Sequence, residues 1–511
     1  LSLLDKYFNG NNRQFWEYEI INIGDRGGGG RLYQSGTIDM PFTVNIQQAI
    51  TSGSGGVDVE GTIHTNGRDY TVASREVNLK NAHINADSTT GGTHGNVAIQ
   101  ADTLNTENSD ISGNGEVSFD TYTPDKEISF GTPGSGGAPT GLVLGENVFG
   151  ENGLLKNKPG SKFKKIRIGG DNAGNIRVGN VTIPDTLSDG LEIKTKHDVT
   201  STGVMKSVPV LDVQANSVNL TGPNEIQKIG NVTSEHGVHI ETAKGTTISG
   251  KVTGKTTPIN IKNSGGGDVT IAPGGQIVGT GTSDVVIEAR GGSFKNKRGA
   301  DAIRTAPGHR YVVHTEDSVE NEINGLVFEF RKYGVDYDDP HKPQPPAGKN
   351  AMYYNYQPTL KFYSTRAYGD DNSKFFNATA GFYIQDDGNL KRRALDKAEV
   401  DFLRDHVKDS GTHHFGISKT TNVNADIHTA DGTVTNAMTD VTRRAGTPTY
   451  GSESANAAEK ITFDNTKKDS TGKEYNALNY KIEIDYRIVP RTVTVRGKTS
   501  TVNYDGTAHS Y

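Results

Sequence analysis

Val57-Asp58-Val59-Glu60, Val77-Asn78-Leu79-Lys80, Val97-Ala98-Ile99-Gln100 and Val117-Ser118-Phe119-Asp120 return at intervals of 20 residues between Gly56 and Tyr122. Each alternates apolar with polar, the period-2 signature of a strand with one buried face. Recurrence at a fixed interval predicts that every copy takes the same place in a repeating unit. A unit of this size cannot bury its own apolar face, so copies must stack. Shorter alternating pieces lie between them, such as Tyr70-Thr71-Val72-Ala73 and His83-Ile84-Asn85-Ala86. Two or three short strands per turn, joined by Gly, Asn, Asp and Ser, predict an all-β chain: a right-handed parallel β-helix solenoid.

Outside this stretch the pattern recurs. Leu191-Glu192-Ile193-Lys194 and Leu211-Asp212-Val213-Gln214 again stand 20 apart, and Val238, Ile259 and Val285 open further copies at wider intervals. Loops inserted between strands account for the wider steps. On the order of ten turns rising about 4.8 Å each predict a rod roughly 50–60 Å long.

Composition supports the solenoid. Of 511 residues only 32% are hydrophobic and 63 are glycine, too polar for several compact cores but suited to a thin apolar rod. The net charge of −6 is no nucleic-acid footprint. No apolar run is long enough for a membrane helix. The chain has no cysteine, which excludes disulfides, thiolate metal sites and thiol nucleophiles, and suits a chain that crosses a membrane unfolded. It begins at Leu1, shows no signal peptide and stops soon after a strand signal, so both ends read as cut from a longer protein.

The organisation expected along the chain is as follows. Residues 1–36 form an aromatic N-terminal edge element ending in Asp25-Arg26 and four glycines, whose spacing is not that of a phosphate loop. Residues 37–122 are coils, 123–170 a Pro- and Gly-rich insertion, and 171–295 coils again. Residues 296–360 form the C-terminal cap that a solenoid needs over its last apolar face. Residues 361–490 form a separate β domain with one inserted helix opened by Asp396 and Glu399. Residues 491–511 begin a further domain.

Candidate chemistry is sparse. Lys156, Lys158, Lys162, Lys164, Lys165 and Arg167 make a basic run. A solvated face is its ordinary role, and a polyanion or glycan contact is the sharper one. Asn180, Asn219, Asn231 and Asn377 sit in glycosylation sequons, which also arise freely in Asn/Thr-rich strands. Acidic turns at Asp336–Asp339, Gly369–Asn372 and Asp386–Gly388 offer oxygen ligands for calcium but form neither a 12-residue calcium loop nor an RTX nonapeptide, and acidic residues also favour turns for geometric reasons. His413-His414 has no partner pair at metal spacing. Polysaccharide-cleaving β-helices place acid and base on adjacent coils. Glu192 and Asp212 are one coil apart, without a supporting His or Arg cluster. No catalytic residue, cofactor or metal is therefore expected, apart from calcium at those turns.

Two features carry a family resemblance. Val77-Asn78-Leu79-Lys80-Asn81-Ala82-His83-Ile84-Asn85-Ala86 and Val97-Ala98-Ile99-Gln100-Ala101 resemble the coils of filamentous-haemagglutinin-like adhesins exported by two-partner secretion. The segment from Gly308-His309-Arg310-Tyr311 through Asn324-Gly325-Leu326 and Phe330-Arg331-Lys332-Tyr333 to Asn350-Ala351-Met352-Tyr353 is similar to the junction closing the helix in some of them. Immunoglobulin-like YDG domains follow there, and Tyr504-Asp505-Gly506 after Pro490-Arg491-Thr492-Val493 matches the start of one. The preceding domain departs from the pattern, with Ala367-Tyr368-Gly369-Asp370 in place of Tyr-Asp-Gly. The resemblance implies a secreted protein of the bacterial surface, carried through an outer-membrane two-partner transporter. It implies adhesion to host cells, other bacteria or biofilm polysaccharide, without nucleic acid. A polysaccharide-degrading β-helix enzyme and a self-assembling filament subunit are the alternatives.

Overall fold

A computed structural model describes residues 20–367 except 25–29, 40, 49–54, 89–90, 135–137, 157 and 319, and beyond 367 only short strands and a few single residues. The chain divides into two units, Leu1–Tyr356 and Gln357–Tyr511. The first is the parallel solenoid that the alternation predicts.

Its longest ladder runs through Ile21, Val44, Tyr70, Val97, Val117, Ile166, Leu191, Leu211, Ile229, Ile248, Ile271 and Asn296, each the parallel partner of the next. Eleven spacings of about 4.8 Å give a ladder of about 53 Å. A second face stacks Ile128, Ile176, Val199, Val218, Val238, Ile259, Val285 and Tyr311 in the same way. Almost every apolar member of the two ladders is buried. Each such side chain removed from water contributes about 1.5–3 kcal/mol, and together they form the continuous rod.

The register corrects one expectation. Val57 stacks on Val77, and Val97 on Val117, each 20 residues apart. Val77, however, stacks on Leu104, and Val97 on Tyr70, both at 27. The four look-alike segments therefore belong to two different faces. The strand Val97–Glu107 turns a corner, so that its first half lies on one face and its second half on the next. Corners of this kind need backbone freedom. Gly61 sits at φ +99°, and a Cβ there would stand 2.2 Å from the Gly36 carbonyl oxygen.

Two expected boundaries also move. Ile20–Ile23 and Arg31–Gln34 are already rungs, paired with Thr43–Gln48 and Gly56–His64, so the described part of the N-terminal element belongs to the solenoid. Residues 123–170 are not an excursion from the coils. Lys126–Phe130 is a rung of the second face, and the chain then turns back. Leu142–Leu144 pairs parallel to Lys126–Phe130 on its other side and packs beside Val97–Glu107. One helical turn, Glu146–Phe149, and a bridge from Leu155 to Ile111 follow before Lys165–Gly169 resumes the long ladder. Thus 49 residues separate the stacked pair Val117 and Ile166 because the chain fills a rung that it had passed.

The cap repeats this manoeuvre. Ala351–Tyr354 inserts between the earlier strands Tyr311–Thr315 and Phe330–Tyr333, pairing parallel with both. Phe330, Val335, Ala351 and Tyr353 form a buried cluster under it, with Val312 packed against them. The apolar face of the last coil is thereby covered, as a solenoid end requires.

Polar residues also point inward at the corners. The Asn224 side chain is fully buried. Its Oδ1 accepts from the Met205 amide (2.9 Å), and its Nδ2 donates to the carbonyls of Glu241 (3.0 Å) and Gly222 (3.2 Å). Asn263 and Asn296 hold later turns similarly, through Gly266 and Gly267 and through Gly299 and Ile323. Replacing Asn224 by Ala strands a buried amide and two carbonyls, each worth about 1–3 kcal/mol. The expected loss is about 3 kcal/mol in the unfolding free energy from urea titration. A change below about 0.5 kcal/mol, the scale of an ordinary surface substitution, would show that water replaces the side chain.

In the second unit, Thr359–Ala367 pairs antiparallel with Gly381–Gln385 and parallel with Lys481–Val489, and Arg392–Arg393 completes a four-stranded sheet. The expected helix near Asp396, residues 368–372, His413 and His414 lie outside the described residues, as do Asn377 and most of 491–511.

Candidate functional site

The basic run is bound up with carboxylates. Lys158 pairs with Asp110, whose other oxygen meets His83 (2.6 Å). Lys162 pairs with Asp189 (2.5 Å). Arg167 lies between Glu116 (2.8 Å) and Glu192 (2.7 Å) on neighbouring rungs. Lys165 reaches Glu192 (3.7 Å) and Asp212 (3.4 Å). Lys156 and Lys164 alone carry no ion pair among the described residues. Four of the six residues thus join a cross-rung ladder of alternating charge rather than a uniform cationic face. Their partners come from other coils, such as Asp110, 48 residues from Lys158.

Glu192 and Asp212 are register partners, as their spacing predicts, with the Lys165 ammonium within reach of both. Burial opposes ionisation of Glu192, yet the Arg167 guanidinium hydrogen-bonded to it holds its carboxyl below the usual range. A general acid needs the opposite shift.

The acidic turn at Asp336–Asp339 uses its oxygens internally. Asp338 takes both terminal nitrogens of Arg290 (2.7 and 2.6 Å), Asp336 accepts the Asp338 amide and Asp339 the His341 amide. Among the described residues no three acidic or histidine side chains converge as a metal site. Asn180, Asn219 and Asn231 are exposed. Asn180 and Asn231 accept backbone amides of the next coil through Oδ1, from Val204 and Lys251.

Two features were not singled out in the sequence. One is the interior of the cap. His314 is buried and its ring stacks on Tyr337, centroids 4.0 Å apart. Nε2 donates to the Val335 carbonyl (2.9 Å), which leaves Nδ1 to accept from the Lys342 ammonium (3.2 Å). Burial first, and the Lys342 charge second, push the imidazole down to about 3.

The other is an outward groove of about 740 Å³ across four rungs. Tyr33, Asp58, Asn78 and Asn105 are successive register partners along its floor. Arg31 donates to Asp58 (2.6 Å) and Glu76 (2.6 Å). Asn78 donates to Asp58 (2.6 Å), and Asn105 to the Asn78 side-chain Oδ1 (2.8 Å). Glu60, Lys80 and Glu107 line its flank, with Lys80 and Glu107 3.4 Å apart. Tyr33 is 65% exposed. The alternation in Arg31-Leu32-Tyr33-Gln34 carried the signal for an outward Tyr33, but the neighbours 20 to 27 residues away depend on register.

Comparison of the chain with protein-family models, with curated proteins and with solved structures gives no significant match.

Proposed function

We propose that the chain is a segment of a bacterial cell-surface adhesin, a rigid β-helical stalk attaching to cells or to biofilm polysaccharide. The observation behind this reading is the stalk itself: a parallel ladder of twelve rungs with a covered end and sides of cross-rung ion pairs and amide bonds. A rod of this kind holds outward side chains at fixed spacing far from its base. Secretion through a two-partner transporter fits a cysteine-free chain, and the acidic balance disfavours nucleic acid. The six-residue basic run contributes chiefly to the stalk's cohesion, with Lys156 and Lys164 left to meet a partner.

The test couples the full chain to beads and measures retention of bacterial cells and soluble polysaccharides, with sizing of the recovered glycan. Retention with unchanged glycan length is expected. Shortened chains would replace the adhesin by a depolymerase and direct attention to Glu192 and Asp212. Absence of retention on every surface would overturn the reading, and concentration-dependent growth of the chain into filaments alone would favour the structural subunit.

A further inference from the structure

We propose that the groove over Tyr33, Asp58, Asn78 and Asn105 is a binding site for an uncharged, hydroxyl-rich oligosaccharide. The inference rests on the adhesive reading and names its ligand class. Three observations carry it. First, the groove is long and stepped. Four rungs about 4.8 Å apart repeat an outward side chain along about 14 Å, a spacing suited to a short linear polymer. Second, its chemistry is that of a sugar site. A pyranose presents a C–H face and a rim of hydroxyls. The exposed Tyr33 ring offers a flat apolar surface at one end. Beside it stand acceptors without a partner among the described residues: the Glu60 carboxylate and the second oxygen of Asp58. The Asn105 amide, exposed at the other end, uses one of its donors on Asn78 and keeps its oxygen for a hydroxyl.

Third, the floor is held before any ligand arrives. Arg31 locks Asp58, Asn78 bonds both Asp58 and Glu76, and Asn105 bonds Asn78, so these side chains lose little freedom on binding. The same network sets the charge. Arg31 is balanced by Glu76. Asp58, Glu60 and Glu107 then stand against the single ammonium of Lys80, leaving two negative charges in the groove. Sulfated and uronic-acid polymers are repelled there, whereas a neutral glycan is accepted.

Affinity electrophoresis of the full chain tests this, through gels containing dextran, mannan or galactomannan on one side and heparin or alginate on the other. Retardation by at least one neutral polymer is expected. Tyr33→Ala is expected to weaken it at least tenfold, Asn105→Ala to weaken it several-fold, and Tyr33→Phe to retain it, because stacking needs the ring and not the hydroxyl. Tyr33 is exposed, so its variants keep the melting temperature of the parent. Migration unaffected by all three neutral polymers overturns the proposal, as does a Tyr33→Ala chain retarded like the parent. The bead assay separates the two readings. If cells still adhere to Tyr33→Ala beads at the parent's level, the groove assignment falls and the adhesin stands. If the parent itself retains nothing, the adhesin reading falls.

Discussion

Ile99→Asp is expected to unfold the N-terminal rungs of the solenoid while leaving its C-terminal rungs folded. Ile99 is 1% exposed and stacks between Val72 and Phe119. The substitution removes a buried aliphatic side chain, worth about 2–5 kcal/mol in comparable truncations. It also places a carboxylate where no cation or donor waits, a further cost of several kcal/mol. The sum exceeds what a few rungs can absorb, but in a solenoid each rung touches only its neighbours, so the damage stays local. Hydrogen exchange should show lost protection in Tyr70–Asn85, Val97–Glu107 and Glu116–Asp120, with Val285–Ala289 and Tyr311–Thr315 still protected. The control is Ala98→Asp, one residue away and facing outward, expected to cost less than about 1 kcal/mol. Equal effects at the two positions, or an Ile99→Asp chain with unchanged melting and circular dichroism, would refute the register.

The second large effect is loss of the C-terminal cap in mild acid. An unfolded chain protonates His314 near its ordinary value of about 6.5, whereas the folded cap holds it at about 3. Between those values the unfolded state binds the extra proton. Stability from the neutral ring is therefore complete above about pH 6.5 and falls by about 1.4 kcal/mol per unit as the pH drops toward 3. Going from pH 7 to 5 should cost about 2 kcal/mol, and from 7 to 4 about 3 kcal/mol. Burial and the cations outweigh the Val335 carbonyl and the Asp338 carboxylate, which favour the charged ring. The Lys342 ammonium and Arg290 repel an imidazolium, Asp338 is already occupied by Arg290, and Tyr337 and Val335 offer one carbonyl and an aromatic face. Exchange of the Tyr311–Thr315 and Ala351–Tyr354 amides between pH 7 and 4.5 reads the effect. Carboxylates held low by cations, such as Glu192 and Asp110, add losses only as the pH falls through and below the unfolded carboxylate range near 4. His239, also lowered by burial, shifts stability in the same direction but on a different coil. The His314→Asn chain isolates the group: it should be less stable at pH 7 yet lack the steep fall. A His314→Asn cap with the same pH slope would assign the acid sensitivity elsewhere.

The outward face shows how far such reasoning reaches toward a site. Both the basic run and the Glu192–Asp212 pair stand out in the chain, and the latter are indeed register partners. Neither keeps the character suggested by its neighbours in sequence, because the side chains that meet it come from other coils. Lys158 meets Asp110, and Arg167 bridges Glu116 and Glu192. The groove had the reverse fate. Tyr33, Asp58, Asn78 and Asn105 are unremarkable one by one and become a site only through their parallel register.

The alternation of apolar and polar residues determined by itself that the chain forms strands, which side chains face inward and that short coils must stack. These follow from a two-residue period and from the inability of one coil to bury its own face. The rod length of roughly 50–60 Å follows from the same count. Which coil stacks on which was left to the tertiary structure. Val77 would present the same inward apolar side chain to Val97 as it presents to Leu104, and loops of variable length permit intervals of 20 or 27. The choice falls to corner geometry, to buried amides such as Asn224 and to the side chains of neighbouring rungs. The same physics lets the chain pass a rung and fill it later, at Leu142–Leu144 and again at Ala351–Tyr354. A parallel strand bonds equally well to a neighbour made before it or after it, so no local pattern records the order.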